Sequence, residues 1–218
     1  MGHAELIPQQ QLLLIHSIFF FYGNAATEAL SLQVANDIQQ QWNEGDFYAT
    51  IKSNPYKIRF YIEGCYRKTL APVEVTGNTD PRNNYFRIEE TSPMEVSFVD
   101  AIGCNTGYFL LPNLLQDATT AAHEYGHSLG LVHPHKLDIR GKGVPGIMYP
   151  RGTIVDAVYQ YNPQARAGEN FNGGTMNPVY RKVQQQDIEN LLLQQLDFND
   201  RGFAILGKFS SLWHEAYL

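Results

Sequence analysis

Cysteine is nearly absent from this chain of 218 residues: only Cys65 and Cys104 occur, and no C-x-x-C pair. That excludes a disulfide framework and a thiolate metal site. One bridge, or two buried free thiols, remain open as readings. Charge is also sparse, at 17%, and 16 Lys and Arg face 22 Asp and Glu, for a net charge of −6. The basic residues are scattered, which argues against a nucleic-acid or anionic-membrane partner. No apolar run is long enough to span a bilayer. The most apolar stretch, Leu12–Tyr22 (LLLIHSIFFFY), precedes small residues as a signal peptide does. It lacks a positively charged segment before it and contains His16 and Ser17, so a buried strand is the better reading and no clear signal peptide is present.

What the chain does contain, 44% hydrophobic residues, suits one well-buried domain over 1–218. Asn24 is the expected N-cap of a helix in which Leu30, Val34, Ile38 and Trp42 recur every four residues until Glu44-Gly45. Lys57–Tyr66 alternates apolar and polar residues as a half-buried strand does. Residues 71–84 read as a turn-rich connection, Met94–Ile102 and Tyr108–Leu111 as strands. A helix is expected from about Leu114 to Gly130, then loops rich in Gly, Pro and Asn, and a last helix from about Arg181 to Leu196.

The second expected helix and the turn after it carry AAHEYGHSLGLVHPH, which holds four of the seven histidines. Residues i and i+4 share a helix face, so His123 and His127 can present an imidazole nitrogen to one ion. Glu124 cannot ligate from the same direction but can reach a water there, as a general base must. Gly130 can end the helix in a left-handed conformation and return the chain, so that His133 becomes a third ligand. Three neutral nitrogens leave a fourth position open, the pattern of a catalytic zinc site. H-E-x-x-H alone arises by chance in on the order of one such chain in a hundred, but adding Gly130 and His133 lowers this to on the order of 10⁻⁵. An ordinary core helix with surface histidines is therefore disfavoured. His135 reads as a solvated loop residue and His16 as a core histidine, while His3 and His214 carry no signal.

These residues resemble the metzincin metallopeptidases, whose zinc signature H-E-x-x-H-x-x-G-x-x-H is fitted by HEYGHSLGLVH and whose Met-turn is fitted by GIMYP at Gly146–Pro150. The resemblance is close over Thr119–Pro150 and loose from the first strand to the last helix. AAHEYGHSLGL and IMYP look most like matrixins, whereas Pro134 is more like the serralysins. QQDIENL around Asp187 resembles the matrixin C-terminal helix, with Gln186 where that family has an aspartate. The matrixin cysteine latency motif is absent, as are the segments that would hold calcium or a second structural zinc. Tyr149 directly follows Met148, so the astacin tyrosine ligand has no counterpart, and Gly152 stands where matrixins have a tyrosine.

The resemblance implies an α+β, metzincin-like zincin. An N-terminal mixed β-sheet with two helices (about 1–130) would face an irregular C-terminal subdomain with one main helix (about 131–218) across a cleft. It implies a zinc-dependent metalloendopeptidase, with one Zn2+ on His123, His127 and His133, and Glu124 as general base toward a zinc-activated water. Met148 would underlie the imidazoles and Asp187 would support the Met-turn. Substrate, a protein or peptide, would add to an edge strand, for which Tyr108, Phe109 and Leu110 are the candidates, with Tyr149 and Pro150 beside its pocket. The insert Thr153–Asn177 would shape or cover that pocket, or form a disordered loop. The family also favours export, and a monomer is expected. Two other readings stay open: a zinc hydrolase acting on a non-peptide amide or modified peptide end, and a non-catalytic zinc-containing binding module.

Overall fold

In the computed structural model, residues 1–92, 94–116, 119–166, 168–169, 173–210 and 212–216 are described. β1 (Gly2–Ile7) and β2 (Leu12–Tyr22) form an antiparallel hairpin. β2 is the strand expected from LLLIHSIFFFY, and Leu13, Ile15, Ser17, Phe19 and Phe21 alternate onto one buried face. α1 (Glu28–Asn43) buries Leu30, Val34, Ile38 and Trp42. Its N-cap is Thr27, whose Oγ1 accepts the Leu30 N–H at 3.1 Å, and not Asn24. The Asn24 N–H is instead held by Glu89 Oε1 at 3.0 Å, so the chain is still tied to the sheet there.

β3 (Tyr48–Ile51) and β4 (Asn54–Tyr66) form a second hairpin. The stretch that reads as a connection contains a short helix, α2 (Pro72–Thr76), and the start of a buried strand, β5 (Asn83–Glu89). β6 is only Phe98–Val99, much shorter than Met94–Ile102, and β7 is Thr106–Leu110. The expected histidine helix is α3 (Leu111–Gln116) and α4 (Thr119–Ser128), with Asp117 and Ala118 outside the described residues. The expected last helix shrinks to α5 (Gln185–Asn190), since Leu192 turns left-handed at φ 52°, a conformation no helix continues through. β8 (Phe203–Leu206) ends the set of elements.

The sheet is mixed and runs in the order β3-β4-β2-β5-β7-β6. β2 lies parallel to β4 and β5, and β5 to β7, while β3 and β6 are antiparallel edges. Parallel neighbours need crossovers, and α1 supplies the one from β2 to β4. The fold is thus α+β, as expected. β1 also pairs with β8, so the chain returns to the N-terminal sheet after the irregular segment. One hydrophobic cluster runs from Ala4 to Leu206.

α4 lies inside that cluster, with all ten of its residues buried. Trp42 of α1 donates its indole N–H to Ala122 O at 3.0 Å, and Tyr125 Oη pairs with Ser17 Oγ of β2 at 2.8 Å. The Tyr125 ring meets Phe19, Trp42 and Phe60 edge-on at 5.6, 5.6 and 6.2 Å. Such pairs add about 0.5–1.5 kcal/mol each beyond area burial, so both neighbouring layers fix where α4 sits. Among the described residues no helix is long and apolar enough to cross a membrane. Cys65 and Cys104 are both free.

Candidate metal centre

α4 ends as its sequence demands. Gly130 adopts φ +108°, and the N–H of Leu131 reaches back to Gly126 O at 3.0 Å, closing the helix with a Schellman-type turn. The chain reverses, and His133 meets the two helical histidines. Its Nε2 lies 3.0 Å from His123 Nε2 and 3.0 Å from His127 Nε2. All three ligand atoms fall within 4.8 Å of one another. A tetrahedral ion with bonds of about 2.1 Å holds its ligand nitrogens about 3.4 Å apart, so the two pairs at 3.0 Å need spread only by a few tenths of an ångström.

The tautomers favour ligation. His123 Nδ1 sits 2.7 Å from Ile147 O and His127 Nδ1 sits 2.8 Å from Leu131 O. A carbonyl can only accept, so each Nδ1 carries the hydrogen and each Nε2 is left with a lone pair facing the centre. Burial, then Arg181 and the neighbouring imidazoles, holds His123 well below the usual histidine range. Burial brings His127 down to about 4 and also lowers His133, with Arg181 acting in the same direction. Neutral imidazoles are the form that binds a metal. The residues present therefore fit a metal ion.

Glu124 is buried beside them, and burial pushes its carboxyl up to about 8, while Arg181 and the Val99 backbone N–H pull it back. It lines a cavity of about 400 Å³ together with His123, His133, Pro150, Thr120 and Arg181. A second cavity of about 400 Å³, walled by Leu131, Pro134 and Met148, also reaches His133. Both cavities thus reach His133, and the first also reaches His123.

Met148 and Asp187 both line the second cavity with His133. Met148 Sδ would be 2.3 Å from a Cβ on Gly126, so only glycine at that helical position lets the methionine side chain in. Asp187 accepts the N–H groups of Gln184, at 2.8 Å, and of Ile147. The carbonyl of the same Ile147 holds His123, so Asp187 and His123 are linked through one residue. Gln186 faces outward and donates to Asn190 Oδ1 at 3.1 Å.

Other expected site residues fall elsewhere. β7 is paired with β5 along its length and with β6 at Gly107 and Tyr108, and Tyr108 and Phe109 are fully buried. β6 is the edge, which sequence could not reveal, since pairing partners are distant in the chain. Pro150 lines the first cavity, but Tyr149 packs toward Ile139, Val155 and Met176. Val155, Tyr159 and Met176 of the insert Thr153–Asn177 thus pack against Ile139 and Tyr149 from outside it, and Tyr161 Oη accepts from Arg151 at 3.2 Å beside the cavity. His135 is exposed, as expected. His16 is partly buried, 2.5 Å from Glu63 Oε1. Arg181 was not marked by any sequence signal, because it enters the site from a distant loop. It is buried, and it donates to Thr119 Oγ1 at 3.1 and 3.0 Å and to Tyr149 O at 3.3 Å.

No family model matches the chain, and no curated protein matches it either.

Proposed function

We propose that this chain is a metzincin-type zinc metalloendopeptidase. The observation that carries the reading is the convergence of three Nε2 atoms, two with their tautomers fixed by backbone carbonyls, beside a buried carboxylate in an open cavity. His123, His127 and His133 hold the metal. Zinc bound there would supply Lewis acidity toward a water and a peptide carbonyl. Glu124 takes the proton from that water as its oxygen bonds to the carbonyl carbon. It then gives the proton to the amide nitrogen as the C–N bond breaks.

The substrate backbone lies extended along the outer edge of β6, whose approach residues Val96 and Ser97 share the cavity wall with Glu124. Cavities on both sides of His133 favour a chain that continues past the site over a modified chain end or a small amide held in a closed pocket.

Metal analysis combined with peptide-library cleavage, on wild type and Glu124→Ala, tests the reading. About one zinc per chain is expected in both, with cleavage reduced about 10²–10⁴-fold in the variant. Equal cleavage by the two proteins would overturn the mechanism, and zinc without cleavage in either would favour a binding module.

A further inference from the structure

β6 is the last strand of the sheet and has only two residues. On one side it pairs with β7 through Phe98↔Tyr108 and Val99↔Gly107, extended by the Asp100 N–H to Thr106 O at 3.1 Å. So short an edge is marginal by itself. It is held from above by the C-terminal tail, which crosses the face of the sheet opposite α1 and α4.

The tail is pinned at several points along its described residues. Lys208 N–H donates to Gly103 O at 2.8 Å, and Ser210 N–H donates to Asn105 Oδ1 at 2.6 Å. Trp213 stacks on Tyr22 of β2 at 4.8 Å and 15°. His214 is fixed by its own backbone: its N–H reaches Tyr22 Oη at 3.3 Å, and its C=O accepts from Arg87 of β5 at 3.0 Å. From there the imidazole reaches beyond β7. Its Nε2 lies 2.8 Å from Asp100 Oδ1, and its ring meets Phe98 and Tyr108 edge-on, each at 5.8 Å. The Asp100 side chain is 4% exposed, and its other oxygen is held by Thr106 Oγ1.

We propose that His214 is a positioning residue for substrate binding: by grasping Asp100 and the Phe98 ring, it ties the edge strand to the rigid centre of the sheet. The strand is then ordered before an extended peptide arrives, and the complex does not bear the entropy of ordering it. The inference rests on the metallopeptidase reading, which supplies the extended substrate.

Two variants separate this role from simple structural support. His214→Phe keeps a ring against Phe98 and Tyr108 but cannot bond Asp100, and His214→Gln retains a donor. The measurements are zinc content, KM and kcat on a cleaved peptide, and amide exchange at Asp100. The expected result for His214→Phe is unchanged zinc, KM raised on the order of tenfold, kcat within about twofold, and faster exchange at Asp100. His214→Gln is expected to recover both KM and protection. A fall in kcat with KM unchanged, or unchanged Asp100 exchange, would overturn the proposal. If the wild type cleaves no peptide, the function reading fails separately. Exchange then decides alone: faster exchange in His214→Phe with recovery in His214→Gln supports the tie to β6, and equal exchange in all three proteins removes it.

Discussion

His123, His127 and His133 bring three like atoms together, whereas His214 meets an unlike one, the carboxylate of Asp100. The second cluster satisfies itself: Asp100, Thr106, Ser210 and His214 link donor to acceptor without outside help. In the first, the hydrogens of two rings are drawn outward to Ile147 O and Leu131 O, and the lone pairs left behind point inward. Buried polar groups are ordinarily paired. A cluster that spends its donors on its periphery is thus organised for an added cation, and one that pairs internally is organised to hold the fold.

The largest effect separating the two clusters is on metal affinity. Loss of a residue that merely orients a ligand costs about 10–100-fold, so His127→Ala, which removes a ligand, is expected to weaken zinc binding by more than about 100-fold. His214→Phe is expected to leave it unchanged. A zinc titration of both proteins checks this, and similar affinities would erase the distinction drawn between the clusters.

A smaller effect concerns the outer support of the first cluster. Burial raises Asp187 to about 6 from an ordinary value of 3.8. Its proton is thus bound more tightly in the folded chain, and the stabilisation it gives is complete below pH 3.8 and lost as pH rises through about 6. Between about pH 4 and 7 the wild type should lose roughly 2–3 kcal/mol more stability than Asp187→Asn, which has no such proton to release. Denaturant unfolding at the two pH values measures it. Parallel curves would mean that the Asp187 carboxyl is not the buried group inferred here.

The legible parts of the chain are those with local causes. LLLIHSIFFFY became β2, the four-residue recurrence became α1, and the signature placed all three imidazoles because helix spacing and one left-handed glycine suffice to converge them. β5 was hidden because it breaks alternation: Asn84, Arg87 and Glu89 are buried, a pattern made tolerable by the Arg87–Glu89 pair within the strand and by distant partners such as the His214 carbonyl. That β6 and not β7 ends the sheet was hidden for a related reason, since nothing within a strand records which side stays unpaired. His214 carried no sequence signal at all, and its role depends on contacts with Tyr22, Arg87 and Asp100, far from it in the chain. The close fit of Gly126 to Met148 is likewise a tertiary fact written at an unassuming position between two ligands.

The central claim is that the three histidines form a zinc site of catalytic type, and X-ray absorption at the zinc edge of the loaded protein tests it most directly. The expected spectrum contains three imidazole nitrogens at about 2.0–2.1 Å and one further oxygen. A shell without imidazole, or a protein that retains no zinc after dialysis, would contradict it.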